Sequence, residues 1–480
     1  MTRVSTDRRD VPAIHEHIDA HWPDHLDATR AFLRQPSISA DGTGMAATAE
    51  MVAERMRRLG ARAEVVPTGG HPVVSGALDG DGSHTLLLYG MYDVQPVAGE
   101  AWDVDPFAAE LRDVAPFGPC IVARGVSNTK GPLAGTFNAL ESILATRGRL
   151  PISVKFLIEG EEELGSRHLP SFIEAHRYRL GADAAFFPFY RQDVTGKPII
   201  HLGCKGVIFF ELVARGGEHG GPTAGAVHGS RAVWFHNPAW DLVHALDSLV
   251  SEDQTRVLVE GFYDGAAGPT DEDEELLAAL QPTFDAQAQL AEFGLRRFKY
   301  DLDGVPLLRK YLYEPTCNID GITGGHASAG NKSMIPHAVS AKFDCRLVPG
   351  MRPDRVISSV REHLRSRGFG HLDLIVHDAY PAARTRVRAP IVQAMIETYR
   401  LFGCEPEIWP TIASSMPLYL FTEVLGLGTI SGGLGHGGRA HAANEYATVE
   451  GMRMFEKSLV TLLFALGRHL SAPAGGEVRS

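Results

Sequence analysis

Residues 86–97 read Leu-Leu-Leu-Tyr-Gly-Met-Tyr-Asp-Val-Gln-Pro-Val, an apolar run of strand length that stops at Gly90. Polar residues follow where such a strand would end, and Asp93 comes two residues after Met91. In open α/β sheets, ligands bind at the carboxyl ends of the strands. The stretch therefore predicts a functional site at this strand end, although a thioether two positions before a carboxylate is unusual there.

Strand-like and helix-like patterns alternate around this stretch. Ala46–Leu59 has helical periodicity, and Ile152–Ile158 and Ala184–Phe187 are apolar runs of strand length. Leu133, Phe137, Leu140 and Leu144 mark one face of a further helix. Such alternation predicts an α/β domain with a mostly parallel sheet and helices on both faces.

The pattern changes near Gly203–Gly206. Ala341–Val348 alternates as in an antiparallel strand, and Pro238–Leu249 is helical. This indicates a smaller inserted domain of α+β sandwich type, after which the first pattern returns from Arg384. The predicted division is a catalytic domain at 1–205, an insert at 206–383 and the rest of the catalytic domain at 384–480.

The composition and charge of the chain exclude some classes of partner and predict its cellular location. The 480-residue chain has a net charge of -12, which argues against nucleic acid or an anionic membrane as a partner. No apolar stretch approaches the roughly 18 residues of a membrane span. Five scattered cysteines without a C-x-x-C pair, and a polar Met1–Asp10 without an apolar core, predict a cytoplasmic protein with free thiols.

Five motifs, in this order along the chain, resemble the M20 family of zinc amidohydrolases, especially its cytosolic dipeptidase and carnosinase-like branch. The motifs are Tyr89-Gly-Met-Tyr-Asp-Val-Gln-Pro96, Ala123-Arg-Gly-Val-Ser-Asn-Thr-Lys-Gly131, Glu159-Gly-Glu-Glu-Glu-Leu-Gly-Ser166, Asn237-Pro-Ala-Trp240 and His441-Ala-Ala-Asn-Glu445. The resemblance implies a two-zinc catalytic domain and a lid domain that forms a homodimer. It also implies metal ligands at positions 91, 128, 163, 189 and 441, with Glu162 as general base.

The sequence departs from the family pattern at three of these five positions. Met91 stands in place of a histidine, Asn128 in place of a bridging aspartate, and Phe189 in place of an aspartate. Only Glu163 and His441 are retained, whereas a catalytic zinc normally has three protein ligands. We therefore expect no dinuclear zinc centre and no cofactor, with a single weakly bound zinc as the alternative.

The acidic residues around the metal positions survive. Asp93, Glu162 and His441 are the candidate catalytic residues, and Glu163 and Asn128 are candidate substrate-binding residues. Clustered carboxylates without dications should repel one another, which raises at least one pKa and suits proton transfer near neutral pH.

Further substrate contacts are implied for the inserted domain. His228 resembles the lid histidine that reaches the active site of the other subunit, with His219 as a rival. Arg346 and Lys332 resemble the lid elements that hold a substrate carboxylate, for which an arginine fork is suited. Ser414 lies in a loop that borders the pocket.

Three functions remain open from the sequence. The first is an enzyme acting on a small dipeptide or N-acyl amino acid by metal-independent acid–base chemistry: epimerisation, cyclisation, acyl transfer or hydrolysis. The second is a conventional M20 metallodipeptidase with one residual zinc. The third is a catalytically inactive binding or scaffold protein.

Overall fold

The computed structural model describes residues 8–472, which form two compact units. Unit 1 contains the described residues up to Leu202, Thr385–Trp409 and the described residues from Leu420. Unit 2 contains Gly203–Arg384 and Pro410–Tyr419. The Met1–Asp10 segment used to predict location lies partly outside the described residues.

The helices of the described residues are α1 (Val11–Ala20), α2 (Trp22–Arg34), α3 (Met45–Arg58), α4 (Lys130–Arg147), α5 (Leu169–Leu180), α6 (Pro238–Asp247), α7 (Asp271–Leu280), α8 (Ala286–Glu292), α9 (Gly304–Tyr313), α10 (Pro353–Ser366), α11 (Pro390–Leu401) and α12 (Val449–Ser471). The strands are β1 (Arg62–Val66), β2 (Val73–Leu78), β3 (Thr85–Met91), β4 (Glu110–Val114), β5 (Gly118–Val122), β6 (Ser153–Glu159), β7 (Ala184–Pro188), β8 (Ile199–His201), β9 (Gly203–Arg215), β10 (Val227–His228), β11 (Thr316–Gly324), β12 (Met334–Ile335), β13 (Ala338–Leu347), β14 (Asp373–Tyr380), β15 (Ala383–Arg384), β16 (Glu407–Trp409), β17 (Ile412–Ser415), β18 (Gly428–Gly432), β19 (Gly437–Gly438) and β20 (Tyr446–Thr448).

The main sheet of unit 1 has the order β1-β2-β6-β3-β7-β18. Strands β6, β3, β7 and β18 are parallel, and β2 and β1 add an antiparallel edge. Helix α4 packs so closely on β3 that a Cβ at Gly90 would lie 3.3 Å from Leu133 Cδ1. The buried apolar run of β3 thus forms the centre of the unit, and the predicted fold class is confirmed.

A smaller sheet in unit 1, ordered β19-β20-β5-β4, supports the loop that follows β5. Ala123 N donates to the Glu445 carbonyl at 3.0 Å, which ties this loop to the segment before β20. Gly125 and Glu445, which are 320 positions apart in sequence, are therefore neighbours at the site.

Unit 2 is an antiparallel sheet covered by helices. Its strand order is β11-β13-β9-β14, with β15 and β17 also paired to β9. Helices α6 and α10 bury Leu242, Leu246 and Val360 against Phe210 and Phe343 of the sheet. This is the α+β sandwich expected for the insert.

The observed units differ from the predicted division at both ends of the insert, where 203–205 and Arg384 fall in unit 2, and in one further segment. Pro410–Tyr419, which the sequence pattern assigns to the catalytic part, falls in unit 2. The reason is the pairing of β17 with β9, in which Ile412 lies opposite Cys204. Among the described residues, no helix is long and apolar enough to cross a membrane.

Candidate functional site

The site of unit 1 is built where β3 and β6 end side by side. Met91 and Glu159 are partners in the parallel register, so Asp93 and Glu161–Glu163 leave the sheet together. Asp93 Oδ1 accepts from Glu162 N at 3.3 Å, and its Oδ2 accepts from Glu163 N at 3.0 Å. The Asp93 carboxyl group therefore fixes the backbone of the acidic turn.

Asp93 is fully buried. Burial, followed by the charge of Glu163, raises the pKa of Asp93 to about 7. Because both of its oxygens accept from the backbone of the turn, Asp93 positions this turn, and its catalytic role stays a prediction.

Asn128 projects from a loop that is held by Glu445. Glu445 Oε1 accepts from Ser127 N at 2.8 Å and Asn128 N at 2.9 Å, and its Oε2 accepts from Gly125 N at 3.0 Å. Arg124 Nη1 lies 3.2 Å from the same Oε2, in a fully buried ion pair. Three backbone N–H groups and one guanidinium thus set the position of Asn128.

Asn128, Glu163 and His441 form one contact group. Asn128 Nδ2 donates to Glu163 Oε1 at 2.9 Å and lies 2.7 Å from His441 Nε2. Glu163 Oε2 lies 3.1 Å from His441 Nε2 and accepts from Gln95 Nε2 at 2.8 Å. The hydrogen bond that His441 donates to Glu163 raises the pKa of His441 above its usual value.

Glu162 differs from the other carboxyl groups of the site in its hydrogen bonding. Its half-buried side chain has no hydrogen-bond partner among residues 8–472. Desolvation and then the charges of Glu163 and Asp93 raise its pKa well above the usual value. The structure therefore places Glu162 beside Glu163 and Asp93, and Glu163 in turn contacts Asn128 and His441. The catalytic and substrate-binding roles of these residues stay predictions.

A second buried carboxyl group, which the sequence did not lead us to predict, lies behind the site. Glu159 Oε1 accepts from the Tyr89 hydroxyl at 2.5 Å and from Ser166 Oγ at 2.9 Å. Burial raises the pKa of Glu159 to about 8. Its place as the last residue before the Gly-Glu-Glu-Glu turn was the available signal.

The donor set does not fit a dinuclear zinc centre. Met91 is buried at 1% exposure in the end of β3, and Phe189 packs edge-on against Phe187 at 6.0 Å with Arg191 over its ring. Asn128 presents an N–H group to Glu163, where the resemblance implies a bridging carboxylate. In the part of the chain that the structure describes, no three His, Cys, Asp or Glu side chains are grouped to hold a metal ion.

The remaining predicted residues belong to unit 2. Arg346 Nη1 donates to Ser415 Oγ at 2.9 Å, and Arg346 Nε pairs with Asp344 at 2.6 Å. The contact is with Ser415, whereas the predicted Ser414 is exposed and Lys332 is exposed in a loop.

The two candidate histidines of unit 2 differ in their surroundings. His228 is exposed, with its Nδ1 2.9 Å from Ser230 Oγ. His219, also exposed, lies against His371 with ring centroids 3.9 Å apart and ring planes tilted by 35°. Which of the two histidines acts across a dimer stays a prediction.

Comparisons with known proteins place the chain in a family. Residues 87–465 match the model of "Peptidase family M20/M25/M40". The chain is similar to human Beta-Ala-His dipeptidase, with 31% identity over 331 residues that span 65% of this chain and 62% of the relative, less than two thirds of its length. It is also similar to the Cys-Gly metallodipeptidase DUG1 of Saccharomyces cerevisiae, with 27% identity over 78% of each chain.

A solved structure shows the same relationship over nearly the whole fold. The M20 family metallo-carboxypeptidase of Sulfolobus solfataricus has a TM-score of 0.85 and 34% identity, covering 92% of this chain and 99% of its own. Together with the family model, this likeness confirms the resemblance drawn from the motifs. The chain belongs to peptidase family M20/M25/M40.

Proposed function

We propose that this chain is a dipeptidase-like enzyme that acts on a small dipeptide or N-acyl amino acid by acid–base chemistry of Glu162, without a dinuclear zinc centre. The names of its relatives support a peptide-like substrate, since they include dipeptidases and a carboxypeptidase. The reaction class is one that needs proton transfer at or beside an amide: epimerisation, cyclisation, acyl transfer or hydrolysis.

The observation that carries this proposal is that three neighbouring carboxyl groups differ in their hydrogen bonds. Asp93 accepts from two backbone N–H groups, and Glu163 accepts from Gln95 and Asn128. Glu162 alone among these three has no hydrogen bond to the side chain within the described residues. A carboxyl group held by its backbone with a free side chain is suited to exchange a proton with substrate.

The other residues then have supporting roles. His441, half exposed and held by Glu163, is a second proton-handling group. Arg346 and Lys332 are proposed to hold a substrate carboxylate, because a guanidinium binds a carboxylate through two parallel hydrogen bonds. His228 is proposed to polarise the carbonyl group of the substrate. Ser414 stays a proposed substrate contact beside Ser415, which accepts from Arg346.

The test is mass spectrometry of candidate dipeptides and N-acyl amino acids incubated with the protein in D₂O. We expect deuterium uptake or product with wild type, and loss of at least about a hundredfold in Glu162→Gln. Glu161→Gln is the control, because Glu161 is paired with His168 at 2.7 Å. Unchanged turnover in Glu162→Gln would refute the role of this residue. No label and no product in wild type would favour a binding or scaffold protein.

A second candidate is a metallodipeptidase with one zinc. It is favoured by the proximity of Glu163 and His441, the two retained family positions, at 3.1 Å. Elemental analysis of protein purified without chelator separates the two. Zinc near one per chain, with activity abolished by chelation, would support the second candidate and refute the first.

We also propose a homodimer formed through unit 2, in the cytoplasm. Trp234, Trp240 and Val243 of this unit are 77%, 61% and 47% exposed, an unusual exposure for large apolar side chains. Sedimentation analysis should give a dimer for wild type and a monomer for Trp240→Glu combined with Val243→Glu. A monomeric wild type would refute the proposal.

A further inference from the structure

Two cysteines of unit 2 lie directly opposite each other on neighbouring strands. Cys317 of β11 and Cys345 of β13 are partners in the antiparallel register, between the pairs Thr316–Arg346 and Asn318–Asp344. Opposite residues of an antiparallel pair project to the same face, with Cα atoms about 4.5 or 5.5 Å apart. Both spacings fall within the range of about 4.4–6.8 Å that a disulfide needs.

Side-chain contacts agree with the register. Cys345 is fully buried in the core of unit 2, and the half-buried Cys317 packs against that core. The Cys317 thiol contacts the Cys345 thiol. The hydrogen bond between them is the first cause, and burial the second, of a raised pKa of Cys345. The two sulfur atoms are therefore neighbours while both residues are free thiols.

The two thiols differ in access. Strand β11 is the last strand in the order β11-β13-β9-β14, and its residues are mostly exposed. Cys317 itself is partly exposed, whereas Cys345 is fully buried, so an oxidant in solution meets Cys317 first. This is the arrangement of an oxidisable thiol beside a resolving thiol.

The other cysteines lack such a partner within the described residues. Cys204 Sγ donates to the Met416 carbonyl at 3.4 Å, and Cys404 Sγ donates to the Phe402 carbonyl at 3.7 Å. Cys120 of β5 lies opposite Thr448 and Arg112. Oxidation to an intramolecular disulfide is thus specific to one pair.

We propose that Cys317 and Cys345 are a reversible modification site, which closes into a cross-strand disulfide when the protein meets a peroxide. The Cys317 thiolate attacks one peroxide oxygen, the O–O bond breaks, and a sulfenic acid forms with release of one water. The Cys345 sulfur then attacks the Cys317 sulfur, the S–O bond breaks, and a second water leaves. Two thiols and one hydrogen peroxide give one disulfide and two waters, and a dithiol reductant reverses the step.

The disulfide would fix an edge strand that nothing in the described residues covers. It closes the chain between β11 and β13, including the exposed loop that carries Lys332. It also clamps β11 beside Arg346 and Asp344, whose ion pair flanks Cys345. We therefore expect less opening of β11 in the oxidised protein, because a cross-link restricts the open state.

The experiment uses the full chain, treated with hydrogen peroxide and alkylated before digestion. We expect a cross-linked peptide pair containing Cys317 and Cys345, loss of two alkylatable thiols, and full recovery with dithiothreitol. Backbone amides of β11 should exchange with D₂O about tenfold more slowly after oxidation. Cys404→Ser, the matched control, should behave as wild type, and Cys317→Ser should form no pair and show no slowing.

This cysteine pair can be tested without any assay of catalytic activity, and three results would contradict the proposed disulfide. Both thiols still alkylated after peroxide, a disulfide that joins either cysteine to another residue, or a Cys317 link between two chains would each overturn it. Cys345→Ala, which keeps the buried site apolar, should also form no cross-linked pair and show no slowing of exchange in β11. The peptide mapping of wild type decides the question without any variant.

Discussion

Asn128 Nδ2 donates a hydrogen bond to Glu163 Oε1 at 2.9 Å, and the same nitrogen lies 2.7 Å from His441 Nε2. An amide thus joins the two residues that keep the family's ligand identities. A carboxylate at this position would present oxygen to oxygen and would need a cation between them. The Asn128–Glu163 contact is therefore the structural observation that bears most directly on the proposal of chemistry without a dinuclear zinc centre.

Asn128→Asp should lower the free energy of unfolding at neutral pH by about 2 kcal/mol, because it removes a hydrogen bond and adds a charge beside Glu163. Thermal unfolding of the variant and of wild type, with and without Zn²⁺, measures this loss of stability. Asn444→Asp is the control, since Asn444 bonds Asp103 at an exposed position and its change should cost less. Equal stability of Asn128→Asp and wild type in the absence of metal would contradict the contact.

Glu159→Gln should reduce the pH dependence of stability. Burial raises the pKa of Glu159 from 4.5 to about 8. The folded state therefore keeps this proton while the unfolded state releases it, so stability is full below about pH 4.5 and falls as the pH rises through about 8. The glutamine side chain of the variant cannot ionise, and its oxygen can still accept from Tyr89 and Ser166.

The measurement is urea unfolding at about pH 5.5 and about pH 8. The stability difference between the two should shrink by up to about 3 kcal/mol in Glu159→Gln. Glu50→Gln, at an exposed carboxyl group that pairs with Arg57, should keep the wild-type difference. An unchanged difference in Glu159→Gln would mean that this carboxyl group does not titrate in that range.

Glu445→Gln should cost about 3 kcal/mol of stability, because it leaves the buried Arg124 guanidinium without its buried partner. It should also loosen the loop that positions Asn128, which hydrogen exchange of Gly125–Asn128 would show. Glu100→Gln changes the other, partly exposed partner of Arg124 and should cost about 1 kcal/mol. Similar losses in the two variants would contradict the stronger role of Glu445.

Ser415→Ala should lower the thermal stability by about 1 kcal/mol, because Ser415 Oγ accepts from Arg346 and donates to the Gly206 carbonyl at 3.1 Å. Ser414→Ala, one residue away at an exposed position, should change stability by no more than about 0.5 kcal/mol. Differential scanning calorimetry of the two variants compares them directly. A larger effect of Ser414→Ala than of Ser415→Ala would contradict the stabilising role of the Ser415 hydrogen bonds.

The sequence was most informative where the signal was local. The apolar run before Asp93 and the acidic turn at Glu162 and Glu163 predicted strand ends that meet, and the parallel register of Met91 with Glu159 brings them together. The fold class was confirmed for the same reason. Hydrophobic periodicity depends on residues close in sequence, so it can be recognised without knowledge of tertiary contacts.

Features that depend on distant pairings were not predictable in this way. Pro410–Tyr419 joins unit 2 through the pairing of β17 with β9, two strands that are far apart in sequence. The hydrogen bond from Arg346 to Ser415 depends on the same distant pairing and could not be predicted from the local pattern. The two hydrogen bonds from the acidic turn to Asp93 likewise become visible only in the folded structure.

The Asn128 amide also has a consequence for how the side chains of this pocket reach their positions. Glu163 and His441 are held by a side chain that every copy of the protein carries, together with Gln95. These hydrogen bonds connect parts of one chain, so folding itself brings the Glu163 carboxyl group to its position. Two chains made under metal-rich and metal-starved growth should have the same arrangement of these side chains.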